Sequence, residues 1–281
     1  MNQILSIQSA VSLGFVGNRV AAPVMTMLGH IPVLVDSVVL AAHPGYGLKA
    51  GGPVNIEQFS AILKALPQLN SLARTEAVIT GYFGDAAQVP PVAELLDHWQ
   101  AQDEKTLYIL DPVLGDNGRL YVDRAIVTAM RDMLLPRARF ITPNQFELEV
   151  LCKSKIHNAA EADLAAISLL DLFPNLQGVV VTGVHDDDGR LYDRLVSRHR
   201  KGAIGYDKRP AGIAGGGDLL TAIFASWLAA GRSVEESFAA ASTDAHSIID
   251  RSSGCLEISL FDNLHQLTPV TADITAALCE T

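Results

Sequence analysis

Residues 211–218, AGIAGGGD, set Gly215, Gly216 and Gly217 directly before Asp218 and the apolar run LLTAIFASWLAAG. A helix start carries backbone N–H groups without intrahelical partners and the positive end of the macrodipole. Glycines at that point let the main chain turn sharply and come close to an anion. The stretch therefore fits a phosphate or oxyanion cradle with a carboxylate beside it, placed to take a proton from a hydroxyl that attacks phosphorus. No lysine follows the glycines, and they lie far from the first strand, so neither a P-loop nor a dinucleotide fingerprint is present. A plainer reading competes, in which Asp218 only caps the helix, a contribution of about 1 kcal/mol.

Such groups need a scaffold. Short apolar runs at 3–9, 31–40, 77–83, 106–113, 139–144 and 178–184 are rich in β-branched residues and predict strands buried on both faces. Helical stretches are expected between them near 17–29, 56–69, 88–102, 123–135, 145–152 and 160–172, the second capped by Asn55. The alternation predicts βαβ units, hence an α/β fold with a doubly wound, mostly parallel sheet and helices on both faces. After residue 186 the pattern changes to a strand pair at the sheet edge, with an acidic turn at 186–188. Helices at 217–231 and 234–250 follow, the second opened by Ser233 and Glu236 at capping-box spacing. With no repeat or linker, residues 1–281 read as one domain. Open α/β sheets bind ligands beyond the carboxyl ends of their strands. Ser9, Gly81-Tyr82, Asp111, Thr142–Asn144 and Thr182-Gly183 converge on those ends.

Of 281 residues, 49% are hydrophobic and 19% charged, enough apolar content for a large core. The net charge of −10 argues against nucleic acid and anionic membrane surfaces as partners. An anionic ligand must then be drawn in by local features: a helix N-terminus, a metal ion or a few basic side chains. Cys152, Cys255 and Cys279 are few and widely spaced, as expected of reduced thiols in a cytoplasmic protein. The start MNQILSIQSAV has no basic n-region, and no apolar run reaches the roughly 18 residues of a membrane span.

With these pieces in order, the chain resembles the ribokinase-like superfamily, most closely its vitamin B6 branch, the pyridoxal kinases. The resemblance rests on SIQSAVSLGFVGNRVAAPVMTMLG for the opening strand, loop and helix, AAHPGYG for the substrate loop, ITGYFG, LDPVLGD, the Asn144-x-x-Glu147 motif in TPNQFELEVLC, and GGGD. It implies ATP as co-substrate and Mg²⁺ as cofactor. By position, Asp218 corresponds to the general base, and the N–H groups of 215–218 to the anion hole. Asp111 and Glu147 correspond to holders of the metal and its waters, and Thr142, Asn144, Thr182 and Gly183 to the nucleotide's surroundings. Ser9, His43, Gly45 and Tyr82 fall where the vitamin pocket lies. A homodimer is the family's usual state.

Two positions depart from that pattern. Gly216 stands where the family usually has Thr or Val, which predicts a looser loop. In HPGYG, Pro44-Gly45 replaces a Thr-Gln pair, so a hydrogen bond to the vitamin is missing unless water or His43 supplies it. Other readings are a kinase of another small alcohol, such as hydroxymethylpyrimidine or a sugar, and a B6-binding protein with vestigial catalysis. Asp218, Asn144 and Glu147 together count against the last, since a binder needs no base. The segments 115–122 and 186–190 are candidate covers over the nucleotide.

Overall fold

The computed structural model describes residues 2–48, 50–69, 75–102, 106–186, 188–207 and 213–272. Ala211, Gly212, Asp187 and Cys279 lie outside these.

The apolar strand runs form one sheet because alternate side chains find two separate cores. The nine strands β1 (Gln3–Leu13), β2 (Ile31–Ala42), β3 (Gly51–Pro53), β4 (Thr75–Thr80), β5 (Leu107–Leu110), β8 (Phe140–Ile141), β9 (Gly178–His185), β10 (Leu191–Ser197) and β11 (Lys201–Tyr206) take the order β11-β10-β9-β8-β5-β4-β1-β2-β3. Pairings from β2 through β9 are parallel, whereas β3 on one edge and β10–β11 on the other run antiparallel. A separate hairpin joins β6 (Gly115–Asp116) to β7 (Arg119–Leu120).

Leu5, Ile7, Val78, Tyr108, Leu110, Val179 and Val181 face one core, which is closed by Phe59, Leu63, Leu96, Leu148 and Leu169. Those come from α2 (Ile56–Ala65), α3 (Val89–Gln102), α5 (Gln145–Cys152) and α6 (Ala159–Leu172), with α4 (Arg124–Ala129) adding Ile126. Ile4, Ala77, Ile79, Ile109 and Val180 point the other way, onto α1 (Asn18–Met27), α7 (Gly216–Ala229) and α8 (Val234–Arg251). α7 is buried almost all round, with Phe224 and Trp227 fully covered, as its unbroken apolar run requires.

The expected caps form. Asn55 accepts from Glu57 N and Gln58 N at 2.9 and 3.2 Å, and Ser233 and Glu236 make a reciprocal capping box. Boundaries differ where proline or strand geometry intervenes. The 56–69 helix stops at Ala65, and Pro67 sits in a 3₁₀ turn over 66–68. The 123–135 helix becomes a π-helical turn at 130–134. Strands β4, β5 and β8 end at Thr80, Leu110 and Ile141, earlier than their apolar runs suggest. β1 instead continues past Ser9 to Leu13, so Ser9 sits within the strand, where the pairing with β2 shifts register between Gln8 and Ala10.

Candidate active site

The early strand endings leave Gly81, Tyr82, Asp111, Thr142 and Asn144 one to three residues beyond β4, β5 and β8, on the loops facing the carboxyl edge. At that edge α7 begins. Its N-cap, Gly215, has φ +90° and no side-chain cap, and Leu219 N is hydrogen-bonded to Gly215 O at 2.9 Å. The N–H groups of 216–218 precede that bond and are the helix's orphan donors. A Cβ on Gly215 would lie 2.3 Å from Phe15 O, so this glycine is required by both conformation and space. Gly216 has ordinary φ, and its Cβ would meet only Ile249 Cδ1, at 2.9 Å; nothing lies within 4 Å of one on Gly217. The loop is not free, either. Ala214 forms an isolated parallel bridge with Glu257, with Ala214 N to Leu256 O and Ile258 N to Ala214 O both 3.0 Å. That tether fixes the main chain one residue before Gly215.

Asp218, in the first turn of α7, is half-buried and accepts the N–H of Gly17. Burial raises its pKa above the ordinary aspartate range against that hydrogen bond, as suits a proton acceptor. Gly17 is the N-cap of α1, at φ 54°, and a Cβ there would fall 2.3 Å from Ser9 Oγ. Ser9, Gly17 and Asp218 are thus packed together.

Asp111 is buried, and Thr221 Oγ1 donates to its Oδ2 at 3.2 Å while standing 2.8 Å from Thr142 Oγ1. This chain ties the ends of β5 and β8 to α7, so Thr142 spends its hydroxyl inside the protein. Burial first, then the charges of Glu147 and Asp218, push the Asp111 carboxyl well above its usual range. Glu147 closes a capping box with Asn144: Oε2 accepts Asn144 N at 2.8 Å, and Asn144 Oδ1 accepts Glu147 N at 2.9 Å. Its Oε1 accepts Leu114 N at 2.9 Å, and Asn144 Nδ2 donates to Gly115 O at 2.8 Å, so the motif anchors the β6–β7 hairpin. Burial lifts the Glu147 pKa to about 8 despite the backbone donors.

Among the described residues no group of three His, Cys, Asp or Glu is arranged to hold a metal. The crowding of Asp111, Glu147 and Asp218 nevertheless fits a divalent cation that keeps most of its waters and rides on phosphates. Asp111 suits direct contact with it. Glu147, with both oxygens already accepting N–H bonds, suits contact through water.

An open pocket of about 460 Å³ adjoins the cradle and is lined by Asn144, Thr182, Gly183, Gly216, Gly217 and the hairpin residues 116–118, among others. Of the candidate cover 115–122, Asp116, Asn117 and Gly118 line this pocket, whereas Asp186 and residues 188–190 are not part of its lining. Ser9, His43, Gly45, Tyr82, Asp111, Gly215 and Asp218 stand outside its lining. Tyr82 is half-buried, its carbonyl accepting Ser37 Oγ at 2.5 Å. In the 43–47 loop, Gly45 N donates to His43 Nδ1 at 3.1 Å, and His43 Nε2 faces Glu257 Oε2 at 3.4 Å. A Cβ on Gly45 would lie 2.5 Å from the His43 ring. His43 is thereby turned into the protein, and the missing side chain at 45 is the room its ring occupies.

A sequence model of the phosphomethylpyrimidine kinase family matches residues 46–257. Pyridoxal kinase PdxY of Rubrobacter xylanophilus is 31% identical over 264 residues, 92% of this chain and 90% of its own length. The chain belongs to the pyridoxal kinase family. Human pyridoxal kinase is 30% identical over 240 residues, 80% of this chain and 77% of that protein. The solved pyridoxal kinase of Leishmania donovani in complex with ADP and pyridoxamine superimposes with a TM-score of 0.84 at 26% identity, covering 96% and 97% of the two chains. That of Entamoeba histolytica gives 0.88 at 25% identity, covering 100% and 98%. The expected ribokinase-like fold is the observed one.

Several residues of this pyridoxal kinase family site were not visible as candidates in the sequence. Gly14 and Gly17 flank a short turn before a helix without a Ser, Asp or Asn cap, which was a readable sign of an uncapped helix start. Thr221 and Asp193 gave none. Asp193 is fully buried and accepts from Gly183 N at 3.2 Å, Tyr206 Oη at 3.2 Å and Ser242 Oγ at 2.8 Å, with His246 Nε2 at 2.7 Å, which sets one wall of the pocket.

Proposed function

We propose that the protein transfers the γ-phosphoryl group of ATP to the 5′-hydroxymethyl group of pyridoxal, and that pyridoxine and pyridoxamine are alternative acceptors. The observation that carries this reading is the pairing of the uncapped α7 start with a half-buried Asp218 of raised pKa. Asp218 accepts the hydroxyl proton; the hydroxyl oxygen forms the new bond to phosphorus as the bond to ADP breaks. Negative charge on the transferring group meets the N–H groups of Gly216, Gly217 and Asp218, donors already aimed at the site and needing no reorganisation. The pocket beside Asn144, Thr182 and Gly183 takes the nucleotide, and Thr142, its hydroxyl bonded to Thr221, ties the end of β8 to α7 next to it. Asp111 directly, and Glu147 through water, would hold a Mg²⁺ ion that neutralises charge on the nucleotide phosphates. Ser9 and Tyr82 are the polar and aromatic contacts to the vitamin ring.

Residues 1–281 act in this proposal as one domain, because β1, β4, β5, β8, β9 and α7 all contribute to one edge. No helix among the described residues is long and apolar enough to cross a membrane. Free Cys152 and Cys255 support a cytoplasmic setting, and a homodimer is the assembly we propose.

The test is direct. Purified protein with Mg-ATP is offered pyridoxal, pyridoxine, pyridoxamine or hydroxymethylpyrimidine, and the phosphorylated product is followed. Turnover of a B6 vitamer is expected. Turnover of hydroxymethylpyrimidine alone transfers the reading to a pyrimidine kinase, and binding without turnover of any acceptor supports a vestigial binder.

A further inference from the structure

One residue outside the motifs, Glu257, joins three separate segments around the acceptor side, two through its carboxylate and one through its backbone. Glu257 Oε2 accepts Phe15 N at 2.9 Å, from the turn that leads to Gly17. Its Oε1 accepts Tyr46 Oη at 3.1 Å, and Oε2 lies 3.4 Å from His43 Nε2, both in the 43–47 loop. Its backbone is the bridge partner of Ala214, one residue before the required glycine. The sequence separations are 242 to Phe15 and 211 to Tyr46, so these contacts exist only in the folded site. Space is reserved for it as well: a Cβ on Gly14, at φ +103°, would sit 2.2 Å from Oε2. The His43 and Tyr46 rings meet edge to face at 4.9 Å, so the loop presents both to the same carboxylate.

We propose that Glu257 is a positioning residue that latches the 43–47 loop to the turn at 14–17 and to the glycine cradle, so that the acceptor pocket and the anion hole are held as one unit. Glu257 is not assigned contact with substrate. The latch rests on the kinase reading above. Hydrogen bonds to a charged group are individually worth enough that losing this set opens the loop toward conformations without a formed acceptor site.

The test compares wild type with Glu257→Ala, Glu257→Gln and Tyr46→Phe. For Glu257→Ala, KM for pyridoxal rises about tenfold while KM for ATP moves less than about twofold. Glu257→Gln keeps an acceptor oxygen and recovers most of that loss. Tyr46→Phe, an exposed site that leaves folding intact, gives about a threefold rise in pyridoxal KM and adds little to Glu257→Ala in the double variant. In the protein without substrates, amide hydrogen exchange at residues 45–47 speeds up in Glu257→Ala and Tyr46→Phe. Equal loss of kcat for every acceptor with both KM values unchanged, or exchange at 45–47 unaltered in Tyr46→Phe, overturns the latch. An inactive wild type overturns the kinase reading instead, and the exchange measurement still decides the latch.

Discussion

Asp218→Asn separates a base from a cap, because the two roles predict opposite stability changes. The substitution keeps shape and one acceptor oxygen, so the Gly17 N–H bond survives. The carboxylate's raised pKa means that burial disfavours the charged form in the folded state. Its stability contribution is then complete below the unfolded-state pKa and is lost as pH rises through the folded one. Above its folded-state pKa the wild type has lost that contribution, and the neutral amide avoids the charge burial altogether. The asparagine variant should therefore melt at the same temperature as wild type or higher. A cap's acid at a helix start acts the other way, and its removal lowers stability by about 0.3–1 kcal/mol. On rate, losing a general base costs about 10²–10⁴ in kcat, or about 3–5 kcal/mol of barrier. Both KM values should stay within about threefold, since the cradle donors are backbone groups unaffected by the side chain. The assay is steady-state turnover of pyridoxal with Mg-ATP, alongside thermal melts of both proteins over a series of pH values. Retained kcat with a lower melting temperature would refute the base and leave a cap.

Gly215→Ala and Gly216→Ala should diverge although the residues are adjacent. At 215 the positive φ and the approach to Phe15 O displace the loop, lowering kcat by about 10²-fold, the size of a lost oxyanion donor, with a clear drop in melting temperature. At 216 the methyl group meets only the flexible end of Ile249, so turnover is kept and stability rises by about 0.4–1 kcal/mol through the less flexible unfolded chain. Kinetics and melts of the pair check both. Glu147, with its pKa lifted to about 8, gives stability that is complete below the ordinary glutamate range and disappears as pH rises through about 8. Nucleotide-free protein should melt progressively lower from pH 6 to pH 8.5, and Glu147→Gln should flatten that slope even where its mean stability falls; an unchanged slope contradicts the burial argument.

What could be read in advance was local. Asn55 and Ser233 cap helices with partners two or three residues away, so spacing alone finds them. The strand runs announced burial on both faces through β-branched composition, and the two cores bear this out at Val179, Val180 and Val181. Strand ends were overrun because apolar residues continue past the last pairing: Phe83 is fully buried, yet lies beyond β4. β3 was missed, as a three-residue edge containing two glycines and a proline carries no alternation. The motifs named the site's loops but not what braces them. Thr221, Asp193 and Glu257 act over separations of 10 to more than 200 residues, and no periodicity encodes such contacts. The tether at Ala214 was illegible for the same reason, since its bridge partner Glu257 stands more than forty residues on.

That tether also comes late in the chain. A chain emerging from the ribosome N-terminus first can pair all nine strands of the sheet, and pack α7, before residues 254–258 appear. The glycine loop then has its helix but lacks the neighbour that bonds both sides of Ala214. The loop is therefore braced by a short segment after α8 that takes no part in the nine-stranded sheet. A chain ending before that segment would lose both backbone bonds to Ala214 and the buried side chains of Ile258 and Leu260, which share a core with α7.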